Sequence, residues 1–389
     1  MSKRSHGEGS FHQRPNGSWQ GRLSYVDQET GARRRLAVYG KTKAETRTKI
    51  KAAQERLDAG SPVKDATRSV GDWLAQWRDT ALAASDRKES TRALYANLSR
   101  KHLEGGPFGA ITLDKLKPSD IDTLVLALRA QTKVRGDEKI RRLSDSTVRQ
   151  VYTVLRAALD DAVRDGLLAR NPAALVKRPG VERKEARHLD AGEVTAVLNA
   201  SEGLRHRDAL VLIAATGLRK GEALALRWDA VDLDKRVLKV SATLGRIGNR
   251  LVITEPKTTR SRRIVPLSPA VVTMLKRHKA TQAAERLRAA NQWIDNGLVF
   301  TTEFGTPADP RNLLRTIEIA AEKAGIKGAG VHTLRHSAAV AWLESGVHIK
   351  AVADLLGHSS ISITGDVYGH TSDDTARAAV DGLATTLGL

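Results

Sequence analysis

Cysteine is absent from the 389 residues of the chain, which excludes disulfide bonds, thiolate metal sites and cysteine nucleophiles. Aromatic residues make up only 4%, and of five tyrosines only Tyr368 falls in the C-terminal half. No apolar run reaches the roughly 18 residues that a membrane helix needs, and the N-terminus lacks the apolar stretch of a signal peptide. The GxxxxGK[ST] pattern of a nucleotide-binding loop is also missing, so ATP use is not expected.

Positive charge is the most pronounced property of the composition. Lysine and arginine number 64 against 44 aspartates and glutamates, which gives a net charge of +20 and an isoelectric point near 10.3. Such a chain is expected to bind an anion, with nucleic acid the first choice and a merely basic surface the alternative. The 41% hydrophobic and 28% charged residues are typical of a globular protein, and the length predicts two or three domains.

Pattern and charge divide the chain into three segments. Residues 1–64 contain an Asn16-Gly17 turn signal between two strand-like runs, a third run at RRRLAVYG, and a helical stretch that Thr42 caps. Residues 65–180 are predicted to be helical, and residues 181–389 to be mixed α/β with mostly helices. All three segments are basic, and the first has the densest charge, with 14 positive against 6 negative residues. Contacts with the anion are therefore expected from several domains.

The helical segment carries clear periodicity. Four apolar residues have the i, i+3, i+4, i+7 spacing of one helix face: Val70, Trp73, Leu74 and Trp77. The run DSTVRQVYTVLRAALDDAVRDGLL predicts a long helix that ends at Pro172. Ser119 is predicted to cap the helix DIDTLVLALRAQ, and the polar stretch KVRGDEKIRR is predicted to be a loop. Farther along, Asp190 and Glu193 have the spacing of a capping box.

The motif TGLRKGE places Arg219 between an apolar helix, RDALVLIAATG, and the start of another helix. An arginine beside so much apolar sequence needs an anion or an acid as its partner. Glu222 lies three residues on and would orient Arg219 on the same helix face. Alone, the motif favours a structural Arg–Glu pair over a site.

The motif HTLRH offers two interpretations. His332 and His336 have the spacing of a helical metal pair, but a third ligand is not evident and the positive Arg335 between them opposes a cation. His332 and Arg335, three residues apart, are better suited to bind an anion. The sequence therefore predicts no metal site and no cofactor.

The stretch LLGHSSISITGDVYGH contains His358, where a helix is expected to begin, and Tyr368 ten residues later. A lone tyrosine in an apolar pattern is more often a core residue. Beside two arginines and two histidines that can hold phosphate oxygens, its hydroxyl becomes a candidate nucleophile. Lys257, in the predicted hairpin TEPKTTRSRR, is a candidate general acid, although a solvated charge is the simpler interpretation of that lysine alone.

Taken in order, six positions resemble the signature of the tyrosine recombinases, the phage-integrase family: Arg219, Lys257, His332, Arg335, His358 and Tyr368. The resemblance covers residues 181–389, which would be the mixed α/β, mostly α catalytic domain. It extends more loosely to residues 65–180 as a helical, SAM-like core-binding domain. It is weakest for residues 1–64, which look like a three-stranded arm-binding domain with one helix. The implied fold class is multidomain and mainly α with small β-sheets.

The resemblance implies roles for the phosphate-binding residues. Arg219 and Arg335 would clamp the scissile phosphate, and His358 would donate a hydrogen bond to it. Glu222 would support Arg219.

The resemblance also implies how protons and bonds move. Tyr368 would be the nucleophile that forms a 3′-phosphotyrosine, with His332 as proton acceptor or donor beside it. Lys257 would protonate the 5′-hydroxyl leaving group, with Lys239 as the main rival for that role. His370 is left without a role.

The partners implied are double-stranded DNA, at core-type and arm-type attachment sites, and three further copies of the chain in a tetramer that works through a Holliday junction. An excision factor and a host DNA-bending protein are expected partners, a membrane is not, and the location is the bacterial cytoplasm at nucleoid DNA. Candidate DNA-binding residues of the first segment are Arg14, Trp19, Arg22, Arg33, Arg34 and Arg35.

Two alternatives stay open at this point. A type IB topoisomerase would use similar chemistry on one duplex, but the basic β-rich N-terminal segment favours a protein with a second DNA site. A non-catalytic DNA-binding protein of the same fold would need neither the tyrosine nor the general acid. The terminal stretch DDTARAAVDGLATTLGL is expected to be helical and to pack either on its own domain or on a neighbouring subunit.

Overall fold

The computed structural model describes residues 10–26, 33–58, 68–136, 138–182, 187–255 and 261–358, and the single residues Ser360, Gly365 and Asp381. Lys257, Tyr368, His370 and the helix predicted at the C-terminus lie outside the described residues, apart from Asp381. The chain divides into two compact units, Met1–Arg183 and Lys184–Leu389. The finer division into three domains, with breaks after residues 64 and 180, stays a prediction.

The first unit begins with a three-stranded antiparallel sheet of β1 (Ser10–Gln13), β2 (Trp19–Val26) and β3 (Arg33–Gly40). The predicted turn at Asn16-Gly17 is confirmed, because Gly17 has a φ of 80° and its N–H donates to the Arg14 carbonyl over 2.9 Å. Helix α1 (Lys43–Asp58) covers one face of this sheet. The Thr42 hydroxyl caps α1 by accepting from the N–H of Glu45 over 3.1 Å. The small core between sheet and helix consists of Leu23, Ile50 and Ala53.

The remaining described part of the first unit contains five α-helices: α2 (Val70–Trp77), α3 (Glu89–His102), α4 (Gly106–Gly109), α5 (Pro118–Ala130) and α6 (Asp145–Arg164). A π-helical segment, Arg78–Leu82, continues α2. The predicted apolar face of α2 is confirmed, because all four residues are buried. The indole N–H groups of Trp73 and Trp77 donate to the Ala158 carbonyl, over 2.9 Å, and to the Asp161 carboxylate, over 2.6 Å. Both tryptophans thereby bury a large ring without an unpaired donor.

Three local predictions in this unit are wrong. The polar stretch predicted to be a loop forms a hairpin of β4 (Thr132–Arg135) and β5 (Glu138–Arg141). Helix α5 begins one residue before Ser119, because the Asp120 carboxylate accepts from the N–H of Lys117 over 2.8 Å and closes its first turn. Helix α6 ends well before Pro172, because Gly166 reverses the chain with a φ of 71°.

The second unit has seven helices and five short strands in its described part. The helices are α7 (Ala191–Ala200), α8 (Arg207–Thr216), α9 (Lys220–Leu224), α10 (Pro269–Ala289), α11 (Pro310–Lys323), α12 (Val331–Glu344) and α13 (Ile349–Leu356). The strands are β6 (Val231–Asp232), β7 (Val237–Val240), β8 (Thr243–Ile247), β9 (Arg250–Thr254) and β10 (Arg263–Pro266). The capping box of Asp190 and Glu193 at the start of α7 is confirmed.

The sheet of the second unit is antiparallel, with β7 between β6 and β10, and β8 and β9 form a separate hairpin. The core of the unit lies between the helices and this sheet and includes Leu212 and Ile213 of α8, Leu238 of β7, Val265 of β10 and Ile317 of α11. Helix α12 packs against α8 and α13. The expected fold class, mainly helical with small sheets, is confirmed. None of the helices in the described part of the chain is both long and apolar enough to cross a bilayer.

Candidate active site

The site is assembled where two helices of the second unit end. Helix α8 ends at Gly217 and helix α13 ends at Gly357, both in the left-handed conformation, with φ of 62° and 65°. A side chain at either position would also meet a neighbour, since a Cβ would lie 2.8 Å from Leu356 Cδ2 at Gly217 and 2.9 Å from Arg263 Nη1 at Gly357. Glycine is therefore required by backbone and by space, and the two chain reversals bring carbonyl groups to one place.

Arg335 of α12 joins the two helix ends. Arg335 is only 4% exposed to solvent. Its Nη1 donates to the Gly217 carbonyl over 2.5 Å, and its Nη2 donates to the Leu356 carbonyl over 2.8 Å and to Nε2 of His358 over 3.0 Å. Carbonyls at the ends of helices lack partners within the helix and carry partial negative charge, which a buried guanidinium satisfies. Because a guanidinium can only donate, the His358 Nε2 is the acceptor and its Nδ1 carries the proton.

Arg219 begins α9 and is held by Glu222 one turn later, as the sequence predicts. Nη1 of Arg219 donates to Oε1 of Glu222 over 2.8 Å, and the backbone N–H of Arg219 donates to Oε2 over 2.9 Å. A further hydrogen bond of 3.3 Å runs from Arg219 Nη2 to the Gly357 carbonyl. The Glu222 side chain is 4% exposed, whereas that of Arg219 is 36% exposed. The arginine is therefore fixed at one edge and open to solvent at another.

Glu222 has a second cationic partner that the sequence analysis missed. Arg263 of β10 donates to both carboxylate oxygens of Glu222, over 2.9 and 3.3 Å. Burial raises the pKa of Glu222, but the hydrogen bonds and charges of Arg263 and Arg219 lower it more strongly, so that the pKa lies below its usual value. The alternation along β10 is the signal that identifies Arg263, because it shares a face with the buried Val265 and not with the exposed Ile264.

The histidines of the site are held in their neutral forms. Burial, together with the charges of Arg335, Arg219 and Arg263, lowers the pKa of His358 from 6.5 to about 4. Burial, together with the charges of Lys220, Arg335 and Arg219, lowers the pKa of His332. At neutral pH His332 can therefore accept a proton.

The predicted residues are thus brought together as far as the described chain extends. Arg219 is hydrogen-bonded to Glu222, Arg335 is hydrogen-bonded to His358, and the two arginines donate to the adjacent carbonyls of Gly357 and Leu356. His332 lies one turn before Arg335 on α12. Within the described ranges, no three side chains of histidine, aspartate or glutamate are grouped as metal ligands would be. Lys239, the rival of Lys257, lies on β7 opposite Ile264 and lines a cleft with Lys276 and Lys279.

One face of the N-terminal sheet is not covered by α1 and is called the free face below, and the candidate DNA-binding residues divide between the two sides of the sheet. Residues that are directly paired across two strands share a face, so Arg22, Arg33 and Arg35 lie on the face opposite to α1. Trp19 lies on the same side as α1, and the Nζ of Lys43 is 5.4 Å from the centroid of its ring. The Arg14 guanidinium stacks 5.2 Å from the ring of Tyr39 on the free face. The side chain of Arg34 is outside the described residues.

The free face also carries polar residues that sequence reasoning missed. Nε2 of Gln20 donates to the Tyr39 hydroxyl over 3.0 Å, and Arg22 Nη2 donates to Oε1 of Gln20 over 3.5 Å. His12 is paired with Gln20 in the sheet and therefore shares this face. The alternation of side chains along a strand was the signal that could have identified Gln20 and His12.

Comparison with known proteins places the chain in a family. A model of the phage integrase family matches residues 187–375. A "Tyrosine recombinase XerC-like" protein of Caldanaerobacter subterraneus subsp. tengcongensis is 31% identical over 373 residues, which cover 91% of this chain and 93% of that protein. An "Integrase" of Streptomyces ambofaciens is 30% identical over 380 residues, which cover 94% of this chain and 93% of that protein.

Two solved structures share the fold. A Tn1549 transposon integrase in complex with a circular intermediate DNA is 24% identical and has a TM-score of 0.66, covering 82% of this chain and all of that one. A lambda integrase tetramer bound to a Holliday junction is 20% identical and has a TM-score of 0.58, covering 95% of this chain and 99% of that one. The near full-length relatives decide the identity: the chain belongs to the tyrosine recombinase family, the phage integrases, and is a site-specific DNA recombinase.

Proposed function

We propose that this recombinase breaks and rejoins DNA through a 3′-phosphotyrosine, with the cluster around Arg219 and Arg335 as its phosphate site. One observation carries the proposal. The guanidinium groups of Arg219 and Arg263 share the single carboxylate of Glu222, that of Arg335 holds His358 beside them, and the neighbouring histidines are neutral, so the described part of the site is positively charged. A phosphodiester brings one negative charge and gains a second as a nucleophile adds, which such fixed donors stabilise.

The chemical step follows from the family signature and the residues present. Oη of Tyr368 attacks the scissile phosphorus, and its proton passes to a base, for which the neutral His332 is suited. The P–Oη bond forms as the P–O5′ bond breaks, and Lys257 gives the 5′ oxygen its proton. The 3′ phosphate stays on the tyrosine, so attack by the 5′-hydroxyl of another strand reverses the step without an external energy source.

Arg219 and Arg335 hold the phosphate in different ways. The partly exposed guanidinium of Arg219 is placed to meet a non-bridging oxygen, because Glu222 and the Gly357 carbonyl fix its other edge. Arg335 is buried and holds His358 beside it, so that it supplies charge and also orients the histidine that donates to the phosphate.

The macromolecular partner in this proposal is double-stranded DNA, bound by a tetramer at a Holliday junction. The solved structures support it, since the lambda integrase tetramer is bound to a Holliday junction and the Tn1549 integrase to a circular intermediate DNA. Exchange of both strands between two duplexes requires four cleavages and hence four copies of the chain. The net charge of +20 suits a contact that extends over several domains.

The N-terminal sheet is the part that we assign to arm-type DNA sites. Its free face combines Arg22 and Arg35 with Gln20, Tyr39 and His12, which are side chains able to contact phosphates and base edges. The protein would then integrate and excise a phage or another mobile element in the bacterial cytoplasm, together with an excision factor and a host DNA-bending protein.

The test of the chemistry is the variant Tyr368→Phe on a nicked duplex that carries the attachment site found in the DNA flanking the gene. The native chain should form a covalent adduct that survives denaturation, and the variant should bind the same duplex without forming it. An adduct formed by the variant would contradict the role of Tyr368. Relaxation of supercoiled DNA without the attachment site would instead favour a type IB topoisomerase.

A further inference from the structure

We infer that Arg263 is a positioning residue of the recombination site, which acts through Glu222 and the end of α13 and does not touch the DNA; the inference rests on the function proposed above. Its side chain is 7% exposed and lies beneath the cluster, on the inner side of β10. The Arg219 side chain, which contacts the same carboxylate, is 36% exposed. Glu222 therefore binds both an arginine that is open to solvent and an arginine that is buried in the fold.

The charge balance shows why a second arginine is needed. If Glu222 were paired with Arg219 alone, its negative charge would cancel the positive charge of that arginine. The phosphate would then compete with Glu222 for the Arg219 guanidinium. Arg263 contacts both oxygens of Glu222 and shares its negative charge, while Arg219 takes Oε1. The carboxylate thus orients Arg219 without cancelling its charge. A buried carboxylate without Arg263 would also lose its strongest partner among the groups that keep it ionised.

The second action of Arg263 is on the chain that leads to His358. Nε of Arg263 donates to the Leu355 carbonyl over 2.6 Å, and Nη1 donates to the Ser261 carbonyl over 3.3 Å. The same Nη1 would lie 2.9 Å from a Cβ at Gly357, so the guanidinium is packed directly against that glycine. It therefore fixes the last turn of α13, which ends two residues before the histidine that Arg335 holds.

The shape of the side chain matters as well as its charge. Arg263 donates to four oxygens from three nitrogens, in the fork geometry of a guanidinium. A lysine carries the same charge on one nitrogen and cannot reach the Leu355 carbonyl and both oxygens of Glu222 together. Arg263→Lys thus separates the positioning role from a mere contribution of positive charge.

The experiment measures adduct formation on the nicked attachment-site duplex by the full-length chain and its variants. Arg263→Lys and Arg263→Met should each lower the cleavage rate about 100-fold, the effect of an active group displaced by about 1 Å. Binding of the duplex should change less than about threefold, because Arg219 and Arg335 remain. A matched control, Ile317→Ala, removes a buried side chain of the same unit that makes no hydrogen bond to the site, and it should keep the native cleavage rate below its unfolding temperature.

A double-mutant cycle identifies the route by which Arg263 acts. In the background of Glu222→Gln, the added change Arg263→Met should lower the rate by about tenfold at most, well short of its effect in the native chain, because the route through Glu222 is already altered and only the route through the end of α13 remains. This double variant also leaves no buried cation without a partner at position 263, so it serves if Arg263→Met alone does not fold.

Each outcome bears on the inference. Native rates for Arg263→Lys would overturn it, since charge alone would then suffice. Independent, multiplying losses in the double variant would overturn it too, because Arg263 would not act through Glu222. If the native chain forms no adduct at all, the proposed function fails and this inference fails with it. If the native chain is active and the variants cleave at the native rate, only this inference fails.

Discussion

Glu222 is the residue whose loss should be most costly to the fold of the second unit. Its carboxylate accepts four hydrogen bonds: two from Arg263, one from the Arg219 guanidinium and one from the Arg219 backbone. The variant Glu222→Gln keeps the shape but replaces one oxygen by an N–H₂ group that faces other donors. The negative charge between two guanidinium groups disappears at the same time.

The magnitude follows from burial. Glu222 and Arg263 are 4% and 7% exposed, so the unpaired cation left behind is screened little by water. Removing one partner of a buried ion pair costs about 3–5 kcal/mol, and the isosteric amide should bring the loss to the lower end, about 3 kcal/mol. For a unit of this size, this corresponds to a fall of about 6–12 °C in unfolding temperature.

Scanning calorimetry of the full-length chain measures this fall. The control is Glu193→Gln, a glutamate of the same unit that closes the capping box of α7 at the surface, where glutamine is accepted equally well. The control should unfold within about 2 °C of the native chain. If Glu222→Gln also unfolds within 2 °C of the native chain, the buried carboxylate does not hold the two arginines and the charge argument is refuted.

Three further predictions concern pH, space and DNA. The pKa of His358 is lowered from 6.5 to about 4, so the unfolded chain binds its proton first and stability falls as the pH drops from 6.5 to 4. Partial exposure of His358 reduces this loss in the free energy of unfolding to about 1–2 kcal/mol. Urea unfolding curves recorded at a series of pH values should show that His358→Gln removes most of this pH dependence, and an unchanged pH dependence would contradict the assignment. Gly357→Ala should lower the free energy of unfolding, measured with urea, by about 1 kcal/mol more than Gly346→Ala. Both glycines have a positive φ, but only at Gly357 does a guanidinium nitrogen lie 2.9 Å from the new Cβ. Equal losses of stability would mean that this nitrogen moves away freely. Replacing Arg22 and Arg35 by alanine should weaken binding to arm-site DNA in fluorescence anisotropy titrations and lower the slope against log salt by up to about 2, whereas an unchanged slope would show that neither contacts phosphate.

Local signals predicted most of the elements that surround the site. The apolar spacing of α2, the turn at Gly17 and the capping box at Asp190 depend on residues close together in the sequence, and all three are confirmed. The pair of Arg219 and Glu222 belongs to the same class, because three residues on a helix are neighbours wherever that helix packs.

The errors have physical causes that lie outside such signals. The stretch 132–141 is polar, and its Val134 is 75% exposed, so no buried alternating face marked it as a hairpin. Its ladder is accompanied by an ion pair of Arg141 with Asp145 on α6, four positions on, and by one of Arg129 with the same carboxylate, which only the fold brings within reach. Arg263 was missed because its partner Glu222 lies 41 positions earlier and because three other basic residues precede Arg263 within the stretch KTTRSRR.

The two left-handed glycines, Gly217 and Gly357, set a limit for anyone who wants to redesign this enzyme. The space around them is filled by Leu356 and by Arg263, so substitutions there strain the backbone and displace the site together. With the free face of the N-terminal sheet as the arm-site surface that we propose, variation intended to alter target choice is better directed there, where Arg22 and Arg35 are exposed. On that assignment, a library built in this way would change the arm-site DNA that is bound and leave the residues around Gly217 and Gly357 unaltered.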